Sequence, residues 1–366
     1  MQQYKIIICV GTRPNFIKIT KLKKLFHAYE HITCKIVHTG QHYDSAMSTV
    51  FFDQLGIGAP DFIFPAKSGT QMEVIAQIIK ETDELFRAEK PDLVMVPGDV
   101  NSSLACALSA SRNNIAVAHI ESGLRSFDRT MPEEINRILI DDLSDLMFVT
   151  EPSGMENLQK ENKPMEKVHF VGNTMIDSIA HLLPELNKNE MYKDFGVEKS
   201  DFGVATFHRP SNVDQPETLK VVLAILHEIS QFQKVLFPIH PRTKQNIEKF
   251  GLQINNENIV LLPPLDYINF LGLISKAKWV VTDSGGIQEE TTYLGVPCIT
   301  VRENTERPVT AEQGTNTLSS SNPDEVSQYI QAINQGSYKK GTVPDLWDGK
   351  ASERMVKVVV EYLEGR

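Results

Sequence analysis

"WVVTDSGGIQEETTYLGVP", residues 279 to 297, runs from an apolar strand through a bare polar turn into a helix with two glutamates near its start. Ser284 stands where a helix is capped, and Gly285 and Gly286 carry no side chain to keep a ligand from the free N–H groups there. Glu289 and Glu290 suit the positive end of the helix dipole, and a carboxylate just beyond a diphosphate also accepts the two hydroxyls of a ribose. Gly295 then ends the helix and Pro297 leads into the next strand. A strand joined to a helix in this way is one unit of a parallel α/β sheet. A plain N-cap explains the turn equally well on its own, so the rest of the chain must decide between the two.

Working outward, the same rhythm recurs. "KIIICVG", "KIVHTG", "DLVMVPGD", "IAVAHIES", "LMFVT" and "VHFVG" form a first series of apolar strands, each followed by an amphipathic stretch. The strand signal lapses into "HLLPELNKNEMYKDFGVEKSD" and resumes with "DFGVATFH", "KVLFPIH", "NIVLLPP", "KWVVTDSG" and "PCITV". At 366 residues two cores are expected. The sequence predicts an α/β protein of two Rossmann-like domains, residues 1–173 and 174–350, with the terminal helix 351–366 packing back on the first.

A net charge of −10 argues against a broad nucleic-acid or anionic-membrane surface, which needs a basic face. No apolar run reaches membrane-spanning length and no secretory signal pattern opens the chain, so a cytoplasmic protein is expected. Cys9, Cys34, Cys106 and Cys298 lie in or beside apolar segments without metal-ligand spacing, so reduced core thiols and no metal are expected.

In open parallel sheets ligands bind beyond the carboxyl ends of the strands, which makes the residues there the natural site candidates. They are Gly11 to Pro14, Gly40 to His42, Asp99, Glu121, His208, His240 and Asp283 to Gly286. In "GTRPNFIK" the cations Arg13 and Lys18 are spaced to meet a phosphate, although solvated charges fit as well; no dinucleotide GxGxxG is present. Asp99 and Glu121 end neighbouring strands, and "MPEEINR" adds Glu133 and Arg137 at a helix start. Several carboxylates in one place are too many for phosphate binding and suit proton transfer, with one proton affinity raised and another kept low. His208 follows the first strand of the second series, where it can hydrogen-bond a departing oxygen.

Taken together, "GTRPNFIK", "HTGQHYD", "HIESGLRS", "MPEEINR", "VGNTMID", "HRPSNVD", "DSGGIQEE" and "TERP" resemble, in order and over nearly the whole chain, the UDP-N-acetylglucosamine 2-epimerase family. The resemblance implies a GT-B arrangement with parallel sheets facing across a cleft, a UDP-sugar substrate, no cofactor and usually a homodimer. It implies catalytic roles for Asp99, Glu121, Glu133 and His208. Ser284, Gly285 and Gly286 look like diphosphate ligands, Glu290 like the ribose ligand and Phe270 like a uracil contact. Arg13, Lys18, Arg137, His240 and Arg307 look like further substrate contacts. The chain departs from the family pattern at Asn15, at Pro210 and Ser211, and at Asp44, where members activated by a second UDP-sugar tend to have Gln. Relatives acting on diacetamido uronic acid nucleotides, hydrolysing 2-epimerases, GT-B glycosyltransferases and non-catalytic UDP-sugar sensors remain as alternative readings.

Overall fold

A computed structural model describes residues 2–41, 52 and 55–365. His42 to Asp44, part of the "HTGQHYD" motif, lie outside the described residues. The chain divides into two compact units, Met1–His181 with Asp345–Arg366, and Leu182–Pro344. The first division falls inside the helix Thr174–Lys188, eight residues beyond the boundary expected from the lapse in strand signal.

The first unit carries β1 (Tyr4–Val10), β2 (Ile32–His38), β3 (Phe62–Ile63), β4 (Leu93–Pro97), β5 (Ala116–Ser122), β6 (Leu146–Val149) and β7 (Val168–Phe170). They form one parallel sheet in the order β3-β2-β1-β4-β5-β6-β7. Every residue of β4 and β5 is buried, as expected of strands covered by helices on both faces. On one face Ile7, Val37, Val94 and Val117 pack with Ile78, Phe86, Cys106 and Ile140 from the covering helices.

The second unit contains β8 (Phe202–Thr206), β9 (Lys234–Pro238), β10 (Ile259–Leu262), β11 (Trp279–Thr282), β12 (Cys298–Val301) and β13 (Asn316–Ser319), parallel in the order β10-β9-β8-β11-β12-β13. Strand residues alternate between its two faces. Val204, Leu236, Val280 and Cys298 enter one core cluster, while Ala205, Phe237, Val281 and Ile299 enter the other.

The terminal segment is fastened to the first unit by polar bonds. Trp347 donates its indole N–H to the Thr150 carbonyl at 2.9 Å. The Asp177 carboxylate accepts the amides of Ala351 and Ser352, at 3.0 and 2.6 Å, and so caps the helix Ala351–Glu364 from outside. Asp177→Ala would leave two buried donors unmet; urea unfolding should show a loss of about 1–3 kcal/mol. An unchanged midpoint would show that the carboxylate does not hold this helix. Among the described residues no helix is long and apolar enough to cross a membrane.

Candidate active site

Each sheet reverses its winding once, between β1 and β4 in the first unit and between β8 and β11 in the second, and ligands favour the carboxyl ends flanking such a reversal. The chemistry-bearing residues of each unit collect there.

In the first unit Glu121 lies one residue before the end of β5, where the β5–β6 register shifts between Ile120 and Ser122. Its φ of +77° is rare for a residue with a side chain and costs on the order of 1–3 kcal/mol; bulges of this kind re-aim a side chain. The carboxylate is buried and ion pairs with Lys18, itself buried. Gly98 makes room for that ammonium: a Cβ there would stand 2.8 Å from Lys18 Nζ, and the residue adopts a φ of +63°. Asp99 follows, ion paired with Arg137, and its carbonyl accepts Asn136 Nδ2 at 2.8 Å.

Asp99 and Glu121 each have their own cation, as a desolvated carboxylate requires. Lys18 and Arg137, expected from the resemblance as substrate contacts, are those cations. Glu133 is exposed at the start of the helix Pro132–Leu143, whereas its neighbour Glu134 is buried and clamps the preceding loop. Glu134 accepts the amides of Ser126 and Phe127 and the Arg137 guanidinium, each at 2.9 Å. Burial opposes its ionisation, but the Ser126 amide and Arg137 hold the carboxyl below the usual range. Asn15 ties β1 to β4: its Oδ1 accepts the Gly11 and Thr12 amides, both at 3.2 Å, and its Nδ2 donates to the Pro97 carbonyl at 2.9 Å. A glutamate at this position has no N–H for the last bond. Arg13 is exposed in the same turn.

In the second unit Ser284 occupies the N-cap of the helix Gly285–Leu294, but its side chain makes no capping bond. Its amide instead donates to Thr282 Oγ1 at 3.0 Å. Residues 284–286 are partly exposed, the residues on either side of them are buried, and the first amides of a helix lack intrahelical acceptors. Against this first turn packs a chain of buried charges: Arg302, Glu306, Arg307 and Glu289. A Cβ on Gly285 would meet Glu306 Oε1 at 2.7 Å and Arg307 Nη1 at 2.9 Å. Arg307 Nε lies 2.8 Å from Glu289 Oε2, and Arg302 donates through Nη2 to Glu306 at 2.9 Å. Arg302 Nη1 is buried without a hydrogen-bond partner among the described residues.

His208 Nδ1 lies 2.9 Å from Asp283 Oδ1 and must donate to it, which leaves Nε2 for a ligand. Asp283 is fully buried. Burial opposes its anion, yet His208 and the amides of Arg209 and His208 hold the carboxyl low. The His240 ring lies 5.6 Å from that of His208, its Nδ1 accepts the Arg242 amide, and desolvation and then His208 lower its pKa. Phe270 is half-buried on the helix Tyr267–Ile274. Glu290, expected at a ribose, is buried and bonded to the Tyr267 hydroxyl.

Sequence reasoning placed Asp283 among strand-end residues without its role as the partner of His208, and it missed Asn15, Glu134 and Arg302 as parts of the site. A strand-end Asp two positions before a Gly-Gly turn was the available signal for Asp283; nothing local marks Arg302, whose partners lie on other segments.

Two tandem, doubly wound parallel-sheet units define an α/β protein of the GT-B type. A family profile described as UDP-N-acetylglucosamine 2-epimerase matches residues 24–360, and the chain belongs to that family. It is 40% identical over 344 residues to a UDP-N-acetylglucosamine 2-epimerase of Methanococcus maripaludis, covering 90% of this chain and 92% of that one. It is also 38% identical over 318 residues to a UDP-2,3-diacetamido-2,3-dideoxy-D-glucuronate 2-epimerase of Pseudomonas aeruginosa, covering 86% and 88%. The crystal structure of Methanocaldococcus jannaschii UDP-GlcNAc 2-epimerase in complex with UDP-GlcNAc and UDP superposes with a TM-score of 0.88 at 39% identity, covering 98% of this chain and 99% of that one.

Proposed function

We propose that this chain interconverts UDP-N-acetylglucosamine and UDP-N-acetylmannosamine without hydrolysis. What carries this is one conjunction: an open helix mouth at Ser284–Gly286 and strand-end acids Asp99 and Glu121, on a chain 39% identical to an epimerase solved with UDP-GlcNAc and UDP.

Carbon 2 has no adjacent carbonyl, so its proton is not acidic enough for direct removal. Loss of UDP comes first: the C1–O bond breaks, its electron pair leaves on the phosphate oxygen, and positive charge builds at the anomeric carbon. That charge loosens the C2 proton, which a carboxylate takes to leave 2-acetamidoglucal. Proton delivery to the opposite face of C2 and return of the UDP oxygen to C1 give the epimer. Asp99, Glu121 and Glu133 supply the proton carriers and stabilise the cationic state. Gly285 and Gly286 amides, Arg13 and His208 Nε2 stabilise departing UDP, and Arg302 Nη1 is a buried donor in want of an acceptor. Phe270 and Glu290 belong with the uridine, Arg307 and His240 with the phosphates.

Incubation with UDP-GlcNAc in deuterated water tests this. Deuterium at C2 in a mixture of both UDP-sugars is the expected result. Free ManNAc with UDP would make the chain a hydrolase, and unlabelled substrate would make it a transferase or a sensor. The UDP-diacetamido-glucuronate substrate serves as the comparison; faster labelling of it would reassign the sugar.

We infer a homodimer as well. Met72, Leu108 and Leu139 expose apolar side chains on three helices of the first unit, 71% for Met72, and light scattering should give twice the chain mass. A monomer mass would remove this part of the proposal.

A further inference from the structure

His119, in the middle of β5, is fully buried and is used by no step above. Its ring joins the three elements that carry the acids. Nδ1 lies 2.6 Å from Asp141 Oδ1 on the helix Pro132–Leu143, the helix that begins with Glu133 and holds Arg137 against Asp99. Nε2 lies 3.1 Å from the Gly98 carbonyl, one residue before Asp99. Its own backbone carbonyl accepts Ser122 Oγ at 3.0 Å, across the bulge that turns Glu121 inward. Asp141 completes the joint with its other oxygen, which takes the Gly123 amide at 3.2 Å and Arg125 Nη2 at 2.8 Å. Asp141 is wholly buried; that opposes its charge, and His119 and Arg125 hold the carboxyl low nonetheless.

The geometry points to His119 and Asp141 as a positioning pair that sets the spacing of Asp99, Glu121 and Glu133 without touching substrate. This rests on the epimerase reading and deepens it. Elimination and re-addition need the acids at fixed places on both faces of C2, and a displacement of about 1 Å can cost on the order of a hundredfold in rate. A loosened joint has a second effect: the glucal waits longer for its returning proton, so more of it escapes with UDP.

The test compares full-length wild type with His119→Gln and with Asp141→Asn, the latter keeping the shape and an acceptor oxygen. Rates are normalised to the folded fraction by circular dichroism, and free 2-acetamidoglucal is counted by NMR. The expected result is a kcat lowered about 10- to 100-fold per folded molecule, with KM for UDP-GlcNAc changed by no more than about twofold. Released glucal per turnover should rise severalfold. A fold-only role leaves the partition and the normalised kcat at wild-type values, because both are independent of how many molecules are folded; that result in either variant overturns the pair's role. Absence of C2 labelling in the wild type defeats the epimerase reading instead, a separate outcome.

Discussion

Glu121→Gln is expected to stop deuterium entry at C2 of UDP-GlcNAc while the second unit still binds UDP. A positioned general base contributes about 10²- to 10⁴-fold, and the amide, nearly the same in shape, cannot take the proton. The loss should fall on kcat, since the nucleotide contacts proposed at Ser284–Gly286, Phe270 and Arg307 lie in the other unit. A second consequence follows from the Lys18–Glu121 pair, both members of which are buried. Taking away one charge strands the other, a cost of about 3–5 kcal/mol in stability. Stability and catalysis are then separable by a double variant: Lys18→Met with Glu121→Gln should recover much of the unfolding midpoint and none of the exchange. Mass spectrometry of the UDP-sugar pool reads the label, and urea unfolding reads the fold. Ordinary labelling in the single variant would take Glu121 out of the mechanism; a double variant no more stable than the single would show that the pair is not what Lys18 needs.

The sequence disclosed the places and withheld the partnerships. Strand periodicity and the strand-end rule were enough to bring Gly11, Asp99, Glu121, His208 and Ser284 to the strand ends where the structure has them, because each follows, or nearly ends, a short buried strand. Which side chain crosses to which is set by distances between segments far apart in the chain. Lys18 and Glu121 are separated by more than a hundred positions, and they meet because β4 lies between β1 and β5 and its terminal Gly98 leaves a gap. The Arg137–Asp99 pair likewise joins segments far apart in the chain and leaves no local mark in the sequence. At Ser284 the position was legible and the bond was not: a hydroxyl two residues upstream takes the Ser284 amide, and only coordinates reveal that choice. Residues 289 and 290 read as acids suited to the helix dipole or to a ribose; which groups they meet, Arg307 and Tyr267, is set by other segments.

Glu290 carries the other large expected effect, on stability against pH. Burial pushes its carboxyl up to about 8; the Tyr267 hydroxyl bond works against the rise, and the neighbouring Glu289 charge adds to it. In the unfolded chain the group titrates near 4.5. Between those values the folded protein holds a proton that the unfolded chain has released, so stability must fall as pH rises from about 4.5 and level off above about 8. The span of roughly 3.5 units corresponds to about 5 kcal/mol at 1.36 kcal/mol per unit. Glu290→Gln has no proton to lose and keeps an oxygen for Tyr267, so its advantage over wild type should grow across this window and stay constant beyond it. Unfolding of both proteins in urea from pH 5 to 9 measures the difference; parallel curves would mean that Glu290 is ionised inside the fold at neutral pH. The same proton bears on the nucleotide. If the ribose hydroxyls need the carboxylate as acceptor, UDP binding at pH 7 expels the proton, and affinity should rise with pH until about 8. Calorimetry in two buffers of unlike ionisation enthalpy would then give different apparent heats for UDP, and equal heats would place the ribose elsewhere than on Glu290.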